Sequence, residues 1–399
     1  MIRDRAAWLD VTPRLASQVA AALRHGLRVG VHFVLALLTP WFPVYWLRGI
    51  ARESGRPTTL LVAGKEPWVN YLPEGLFSGE PTRESIGSVS IWALPGLLRR
   101  LRSGADLTIA RVDRLSGRLF LRGEYLRLPE WVGAVLQVPD DPVAYVRHNR
   151  KRNDDLRLVR RNRLVPVVSH DAADFDEFYD RMYVPYTKLR HAGLAHVGSR
   201  AAHRRYFRHG GIIWIEREGE RVGGMLFVIS HRTFHFAAMG AAEGARLPQG
   251  VLAAAYIYAI DHARRHGCTL IDYGGSRPSL QDGVLCYKRK WGITLQHRYR
   301  NRFDHLLYWE HAKGPVAELL SLVSPIFRGP DGLSALHVLD LPRPATAEDA
   351  AMARGSLWTD GLQRLYLFNA AGWSDDRALP VGVTVLDSLA VGALKAAAA

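Results

Sequence analysis

The chain has 399 residues, of which 48% are hydrophobic, and a formal net charge of +15. This length and composition exclude wholesale disorder and predict a large core divided between two or more domains. The positive charge favours an anionic partner, which is a nucleic acid, a phosphorylated cofactor or an acidic lipid surface. The two cysteines, Cys268 and Cys286, form no CxxC or Cys/His cluster, so we expect no metal site and a reducing, cytoplasmic environment.

Residues 29–47 carry no formal charge and have arginines on both sides. The segment is long enough to cross a bilayer, but Pro40 and Pro43 would interrupt a helix, and basic flanks on both sides set no orientation. Three alternatives remain, namely an anchor at the membrane surface, a buried helix with a proline turn, and a span. We expect residues 1–57 to be helical, and the first alternative makes residues 29–47 a peripheral contact on the inner face of the membrane.

Residues 58–138 read as short strands mixed with helices and contain no evident active site. The sequence PDDP at residues 139–142 predicts a domain boundary. The densest basic run of the chain follows at residues 147–163, where Asp154 and Asp155 are the only acidic residues. We predict a helix whose cationic surface is either solvated or a patch for the phosphates of RNA, a lipid-linked substrate or a cofactor.

His170 and Asp174 match the HxxxD spelling of one acyltransferase class, but a chain with this many histidines and acids supplies such a match by chance. Asp171 or Ser169 is better interpreted as the N-cap of the helix that follows. We therefore predict no catalytic role for this pair.

From Gly211 the pattern changes to three antiparallel strands, with tight turns at residues 219–220 and 231–232. His235 lies in the third strand, where a half-buried strand residue is favoured over a catalyst. A helix, VLAAAYIYAIDHARRHG, follows and ends at Gly267. Its N-terminus, near Arg246 and Gly250, offers free backbone N–H groups and a cation for holding a phosphate.

The stretch from Thr269 to Gly292 is where we expect the chemistry. The residues LIDY favour a strand, which the pair Gly274-Gly275 ends, and a backbone without Cβ atoms lets a ligand approach closely. Asp272 is a carboxylate in an otherwise apolar strand, so it needs either a partner or a function.

The order of these elements, ending in LIDYGGS and YKRKWG, resembles the FemAB-like branch of the GNAT acyltransferase superfamily. The residues that carry the resemblance are Asp272, Tyr273, Gly274, Gly275, Tyr287, Lys288, Trp291 and Gly292, and the basic run resembles the arginine-rich helix that opens this domain in relatives. The likeness covers residues 139–302, which we expect to form a GNAT-like acyltransferase domain. FemAB-like proteins often carry two such halves, so residues 58–138 are a candidate for a degenerate first half.

The resemblance implies an α/β (α+β) fold with a GNAT-like mixed sheet flanked by helices. It also implies transfer of an acyl or aminoacyl group from an acyl-coenzyme A thioester or an aminoacyl-tRNA to an amine. The acceptor would be a small molecule or a lipid-linked, polysaccharide or envelope amine. The loop ARLPQG does not cleanly match the coenzyme A signature of GNAT enzymes, so the donor stays open.

The residues themselves suggest roles in such a reaction. Aminolysis needs a deprotonated amine, a donor carbonyl held close to it and a stabilised oxyanion. Lys288 could supply charge to the carbonyl or to a phosphate, and Asp272 could either orient the amine or hold the loop by accepting backbone N–H bonds. The candidate catalytic residues are Asp272, Tyr287 and Lys288; the candidate cofactor-binding residues are Arg246, Gln249, Gly250, Gly274 and Gly275; and the candidate substrate-binding residues are Tyr273, Ser276, Arg277 and Trp291.

Residues 303–399 spell no catalytic motif, and we expect a helical extension there. The rival hypothesis for the whole chain is a non-catalytic protein that keeps the GNAT-like fold and binds RNA or membrane through its basic surface.

Overall fold

A computed structural model describes residues 12–65, 72–73, 75–191, 197–242, 250–298, 301–311, 314–374 and 378–398. The chain divides into two compact units. Unit 1 comprises Met1–Glu130, Arg298–Gly355 and Gln363–Ala399, and unit 2 comprises Trp131–His297 and Ser356–Leu362. This division differs from the predicted series of four consecutive domains, because each unit is built from segments that are distant in sequence.

The helices of the described part of the chain are α1 (Thr12–Leu38), α2 (Leu94–Leu101), α3 (Arg114–Phe120), α4 (Pro142–His148), α5 (Arg150–Arg161), α6 (Ala172–Glu177), α7 (Val184–His191), α8 (Arg200–Arg208), α9 (Val251–Arg265), α10 (Gly283–Lys290), α11 (Pro315–Val323), α12 (Ala347–Leu357) and α13 (Val391–Ala398). A 3₁₀ turn at Arg102–Gly104 follows α2, and a π-helical segment at Phe178–Tyr183 joins α6 to α7.

The strands are β1 (Phe42–Ile50), β2 (Pro57–Ala63), β3 (Thr82–Val89), β4 (Leu107–Asp113), β5 (Leu126–Pro129), β6 (Val132–Gln137), β7 (Leu164–Ser169), β8 (Gly210–Arg217), β9 (Glu220–Ser230), β10 (Thr233–Ala241), β11 (Leu270–Ser276), β12 (Thr294–His297), β13 (Phe303–Tyr308), β14 (Ile326–Arg328), β15 (Leu333–Leu339), β16 (Leu362–Asn369) and β17 (Val383–Leu386). The predicted α/β class, with mixed sheets flanked by helices, is confirmed.

Unit 1 contains a six-stranded sheet in the order β3-β1-β2-β4-β13-β5 and a four-stranded sheet in the order β14-β15-β16-β17. Within the first sheet, β2 and β4 pair in parallel, whereas β1 pairs antiparallel with both of its neighbours. That residues 58–138 are a degenerate GNAT-like half stays a prediction.

The apolar segment 29–47 does not form one element. Helix α1 ends at Leu38, before Pro40, and β1 begins at Phe42. Val44 and Tyr45 are fully buried in the core of unit 1, so the aromatic half of the segment packs against protein. The expectations of a helix through 1–57 and of a single anchor through 29–47 are therefore wrong for the strand half. Among the residues described, no helix has the length and apolarity needed to span a bilayer.

Residues 303–399 are not a helical extension, because they contain β13 to β17 as well as helices. Short apolar runs such as LSALHVL fit a buried strand or a buried helix equally well by periodicity. Here β13 pairs with β4 and β5, so this part of the sequence completes the first sheet of unit 1.

Unit 2 is built on a seven-stranded sheet in the order β12-β6-β11-β10-β9-β8-β7. The predicted antiparallel strands β8, β9 and β10 are confirmed. Their turns have positive φ at both central residues, 54° and 85° at Glu218-Gly219 and 49° and 58° at His231-Arg232. These are the turns that match the twist of a hairpin, and the first lies one residue before its predicted position.

The basic run forms two helices rather than one. The Asn149 side chain accepts a hydrogen bond from the Arg152 N–H at 3.2 Å and caps α5, which separates α5 from α4. Asparagine is among the residues preferred at the N-cap of a helix. The prediction of a single helix overlooked this signal.

Asp171 and Asp174 have structural roles. Asp171 caps α6 by accepting from the Ala173 N–H at 2.9 Å, as predicted. Asp174 is buried, accepts from the Trp214 indole at 3.0 Å and pairs with Arg221. A carboxylate held in this way stabilises the fold rather than acting on a substrate.

Helix α9 packs against the sheet of unit 2 through His262, whose ring lies 4.8 Å from that of Phe227. Burial, followed by the charges of His266, His170 and Arg265, lowers the pKa of His262 from 6.5 to about 4. The folded state therefore binds fewer protons than the unfolded state between these values. The stability that the neutral His262 contributes is complete above its unfolded pKa of 6.5 and is lost as the pH falls toward 4.

We predict that His262→Leu flattens the pH dependence of unfolding. The free energy of unfolding of the wild type should fall by on the order of 1–3 kcal/mol more than that of the variant between about pH 7.5 and pH 4.5. Urea denaturation at both pH values measures this difference. Equal losses in the two proteins would contradict the burial of a neutral imidazole.

The edge of the unit 2 sheet is completed from far along the chain. The Leu295 N–H in β12 donates to the Asp360 carbonyl at 2.6 Å, and Arg289 donates to the carbonyls of Ser356 and Leu357. Gly361 has a φ of +90°, and a Cβ there would lie 2.1 Å from the Leu295 carbonyl oxygen. Only glycine fits this close approach, so the segment Ser356–Leu362 belongs to unit 2.

Candidate active site

The parallel strands β10 and β11 separate in the middle of the unit 2 sheet. They pair at three positions, the last of which joins His235 to Asp272. Beyond it the pairing of β10 with β9 shifts register between Phe236 and Ala238. The pairing of β11 with β6 shifts register between Asp272 and Gly275. The two strands run on to Ala241 and Ser276, so a wedge opens between their C-terminal halves. Here the backbone of a sheet interior can meet a ligand.

A histidine and an aspartate stand side by side where the strands part. His235 Nδ1 lies 3.4 Å from Asp272 Oδ2, and the two side chains are 38% and 22% exposed. The other ring nitrogen, Nε2, lies 2.9 Å from Ser230 Oγ. A carboxylate beside Nδ1 favours the tautomer with its proton on Nδ1, and in that tautomer Nε2 is the nitrogen that can accept a proton.

Asp272 also holds the glycine loop. Its Oδ1 accepts from the Gly274 N–H at 2.8 Å, and Gly274 has a φ of 76°. A residue with a Cβ is strained in this left-handed conformation, which accounts for glycine here. Oδ1 thus holds the loop and Oδ2 lies near His235, whereas a role of Asp272 in orienting the acceptor amine stays a prediction.

Lys288, on α10, is buried beneath the same loop. Its Nζ donates to the Gly275 carbonyl at 2.9 Å and to Ser276 Oγ at 3.1 Å, and the Gly274 carbonyl lies at 3.4 Å. The residue is only 4% exposed. This geometry makes the lysine a support of the loop, and direct contact of its ammonium group with a donor stays a prediction.

The predicted aromatic residues gather around Tyr256 of α9. Its ring stacks on Tyr273 at 4.6 Å and on Trp291 at 5.2 Å, and it meets the Tyr287 ring edge-on at 5.2 Å. Burial is the main cause that raises the pKa of Tyr256, Tyr273 and Tyr287, so all three phenols stay protonated. The Tyr273 hydroxyl is buried and has no hydrogen-bond partner within the described part of the chain.

Four candidate residues remain. Gly250 has a φ of 103° and caps α9, and Arg277 is half-buried just after β11. Arg246 and Gln249 lie outside the described residues. Groups of three or more metal-ligating side chains do not occur among the residues that were placed.

Sequence reasoning predicted that Asp272, Tyr273, Gly274, Gly275 and Lys288 lie in one site. It favoured a structural role for His235 and did not single out Ser230 or Tyr256. The signal for His235 is that a polar residue stands between hydrophobic residues in FHF, as Asp272 does in IDY. Neither pattern says that the two strands are neighbours in register. His235 and Asp272 lie side by side because β10 and β11 are neighbours in this register.

Solved structures similar to this chain are known at low identity. L-PGS from Bacillus licheniformis is 16% identical, with 69% of this chain and 89% of that chain covered and a TM-score of 0.34. FemX is 15% identical, with 69% and 95% covered and a TM-score of 0.36. A GCN5-related N-acetyltransferase from Kribbella flavida is 16% identical, with 62% and 80% covered and a TM-score of 0.25. No family model and no curated protein matches the sequence.

Proposed function

We propose that unit 2 is an N-acyltransferase. It transfers an acyl or aminoacyl group from an acyl-coenzyme A thioester or an aminoacyl-tRNA to an amine on an envelope, polysaccharide or lipid-linked acceptor. The observation that carries the proposal is the separation of two parallel strands directly beyond His235 and Asp272. The proposal is supported by an imidazole that lies at the last paired position of β10, next to this opening.

The amine must lose a proton as its nitrogen attacks the donor carbonyl. His235 Nε2 takes that proton, either directly or through the Ser230 hydroxyl at 2.9 Å, while Asp272 stabilises the imidazolium that forms. A C–N bond forms and the C–S bond of the thioester, or the C–O bond of the aminoacyl ester, breaks. The proton on His235 then passes to the leaving thiolate or alkoxide.

The wedge supplies the place for the donor carbonyl. The backbone pairing of β10 with β11 stops at His235, although β10 continues to Ala241. The N–H groups of β10 that face the wedge can therefore donate to the oxyanion of the tetrahedral intermediate. Lys288 keeps the opposite wall, Gly274-Gly275, in position through its bonds to the loop carbonyls.

Thermal unfolding of the full chain with each donor tests the proposal, because a ligand that binds only the native state must raise stability. An acyl-coenzyme A response assigns a thioester donor, and an aminoacyl-tRNA response assigns an aminoacyl donor. Each stabilising donor is then assayed for amine acylation. Absence of a response to both would overturn the proposal.

The basic helix α5 distinguishes the donors. Arg157, Arg160 and Arg161 are exposed on it, and an arginine that meets an RNA phosphate contributes a salt-dependent part of the binding free energy. We expect the triple replacement by glutamate to abolish stabilisation by tRNA and to leave stabilisation by a coenzyme A thioester unchanged. Arg205→Glu with Arg208→Glu, two exposed arginines on α8, is the control for charge reversal outside α5.

The non-catalytic rival rests on the same exposed arginines of α5. It predicts RNA binding that the triple glutamate variant loses, together with no acylation of any amine in the presence of any donor.

A further inference from the structure

Helix α1 carries apolar side chains on the side that faces away from the core of unit 1. Leu23, Leu27, Val31, Val34 and Leu38 are 67%, 70%, 51%, 48% and 77% exposed. Their spacing of three or four residues places them on one face of the helix. The opposite side packs inward, where Ala36 is fully buried. A stripe of this length is larger than the scattered apolar residues of an ordinary surface.

Two neighbouring segments of unit 1 extend the stripe. Trp92 is 61% exposed, donates its indole N–H to the Leu37 carbonyl at 3.0 Å and meets the Phe120 ring at 4.8 Å. Phe120 ends α3, which packs against α1 and exposes Leu115 and Leu119 at 38% and 51%. We call the side chains of Leu23, Leu27, Val31, Val34, Leu38, Trp92, Leu115 and Leu119 the apolar face.

The charged residues of the three helices at the apolar face have one sign. Helices α1, α2 and α3 contain three, two and two arginines and no aspartate or glutamate. Arg28, Arg99, Arg100 and Arg118 are exposed. The N-cap of α3, Asp113, is buried and accepts from the Ser116 N–H, so its charge is not presented to solvent.

We propose that the apolar face is a docking surface for an anionic phospholipid bilayer. Leucine and valine side chains of a helix lying in the plane of the membrane enter the acyl boundary, a tryptophan suits the interface, and arginines meet the lipid phosphates. A partner surface on a protein would need acidic groups to match these arginines and an apolar groove for the helix. An anionic bilayer supplies lipid phosphates for the arginines and an apolar interior for the helix, and it needs no groove of matching shape.

The docking residues do not coincide with residues 29–47, for which the sequence alone suggests an anchor. The strand half of that segment is buried, whereas the docking residues begin further upstream, at Leu23, and include α3 and Trp92. Membrane docking is independent of the proposed acyl transfer in unit 2, because acylation of a water-soluble amine does not require a membrane.

The test is co-sedimentation of the full chain with vesicles of phosphatidylcholine containing about 30% phosphatidylglycerol, against vesicles of phosphatidylcholine alone. We expect binding to the anionic vesicles only, weakened as salt rises from about 0.1 M to about 1 M. Leu27→Glu with Val31→Glu should lower the partition coefficient at least about tenfold. Both positions are exposed, so circular dichroism should be unchanged.

Met352→Glu with Val381→Glu is the matched control, since these apolar residues of unit 1 are 62% and 87% exposed and lie on α12 and in the segment before β17. It should bind vesicles like the wild type. Three results would overturn the proposal: no binding to anionic vesicles, equal loss in the control, or a dimer in lipid-free solution that Leu27→Glu with Val31→Glu converts to a monomer. The last would assign the face to a second copy of the chain.

Discussion

Replacement of His235 with alanine should lower kcat by about 10²- to 10⁴-fold, because the reaction loses its general base. The side chain is 38% exposed, so the free energy of unfolding should hardly change. Asp272→Asn should also lower kcat, because a neutral amide no longer stabilises an imidazolium. The amide oxygen can still accept from the Gly274 N–H, so the loop should keep its conformation. Steady-state kinetics with the donor that stabilises the protein measures both effects.

Three further variants make this prediction specific. His209→Ala, an exposed histidine at the end of α8, should keep wild-type activity. His235→Ala combined with Asp272→Asn should be no slower than His235→Ala alone, because the two groups act as one unit. Ser230→Ala should keep most of the activity if the hydroxyl only relays a proton. Complete loss of activity in this variant, together with an acyl-serine trapped in the wild type, would make Ser230 a nucleophile. Wild-type kcat in His235→Ala would remove this base from the mechanism.

Lys288→Met should destabilise the protein by about 2–4 kcal/mol, because it leaves the Gly275 carbonyl and the Ser276 hydroxyl buried without their donor. The loop that forms one wall of the wedge should then relax, which raises KM as well as lowering kcat. Chemical denaturation and steady-state kinetics of the same preparation give both values.

Lys188→Met, at an exposed position on α7, is the control for loss of a lysine charge and should match the wild type. If Lys288 instead contacts the donor carbonyl directly, Lys288→Met should keep its stability and its KM and lose only kcat. The two roles of this lysine are thus distinguished by whether stability and activity change together.

Local patterns were sufficient to predict the middle of unit 2. Alternation and turn residues predicted β8 to β10, and the composition of VLAAAYIYAIDHARRHG predicted α9, because these signals depend only on neighbours in the sequence. The same reasoning failed for β1, whose aromatic residues follow directly on the apolar end of α1. It also failed for β13 to β17, whose short runs fit either kind of element.

The candidate site was predictable only in part. Glycines and charged residues between Asp272 and Lys288 lie close in sequence, so their proximity was foreseeable. The pairing of His235 with Asp272 depends on a parallel register between strands that α9 separates in the sequence, and no local pattern encodes such a register. Burial of Lys288 was equally hidden, because its neighbours Arg289 and Lys290 suggest an exposed basic segment.

The return of Ser356–Leu362 to the edge of the unit 2 sheet affects when the protein can fold during its synthesis. Strand β12 receives its outer partner, Asp360, only after the ribosome has made more than sixty further residues beyond Leu295. Until then the nascent unit 2 exposes an open strand edge, which is the kind of surface that pairs with other chains. A nascent chain that stalls before Ser356 would therefore need protection from aggregation, even though every residue of its candidate site has already been translated.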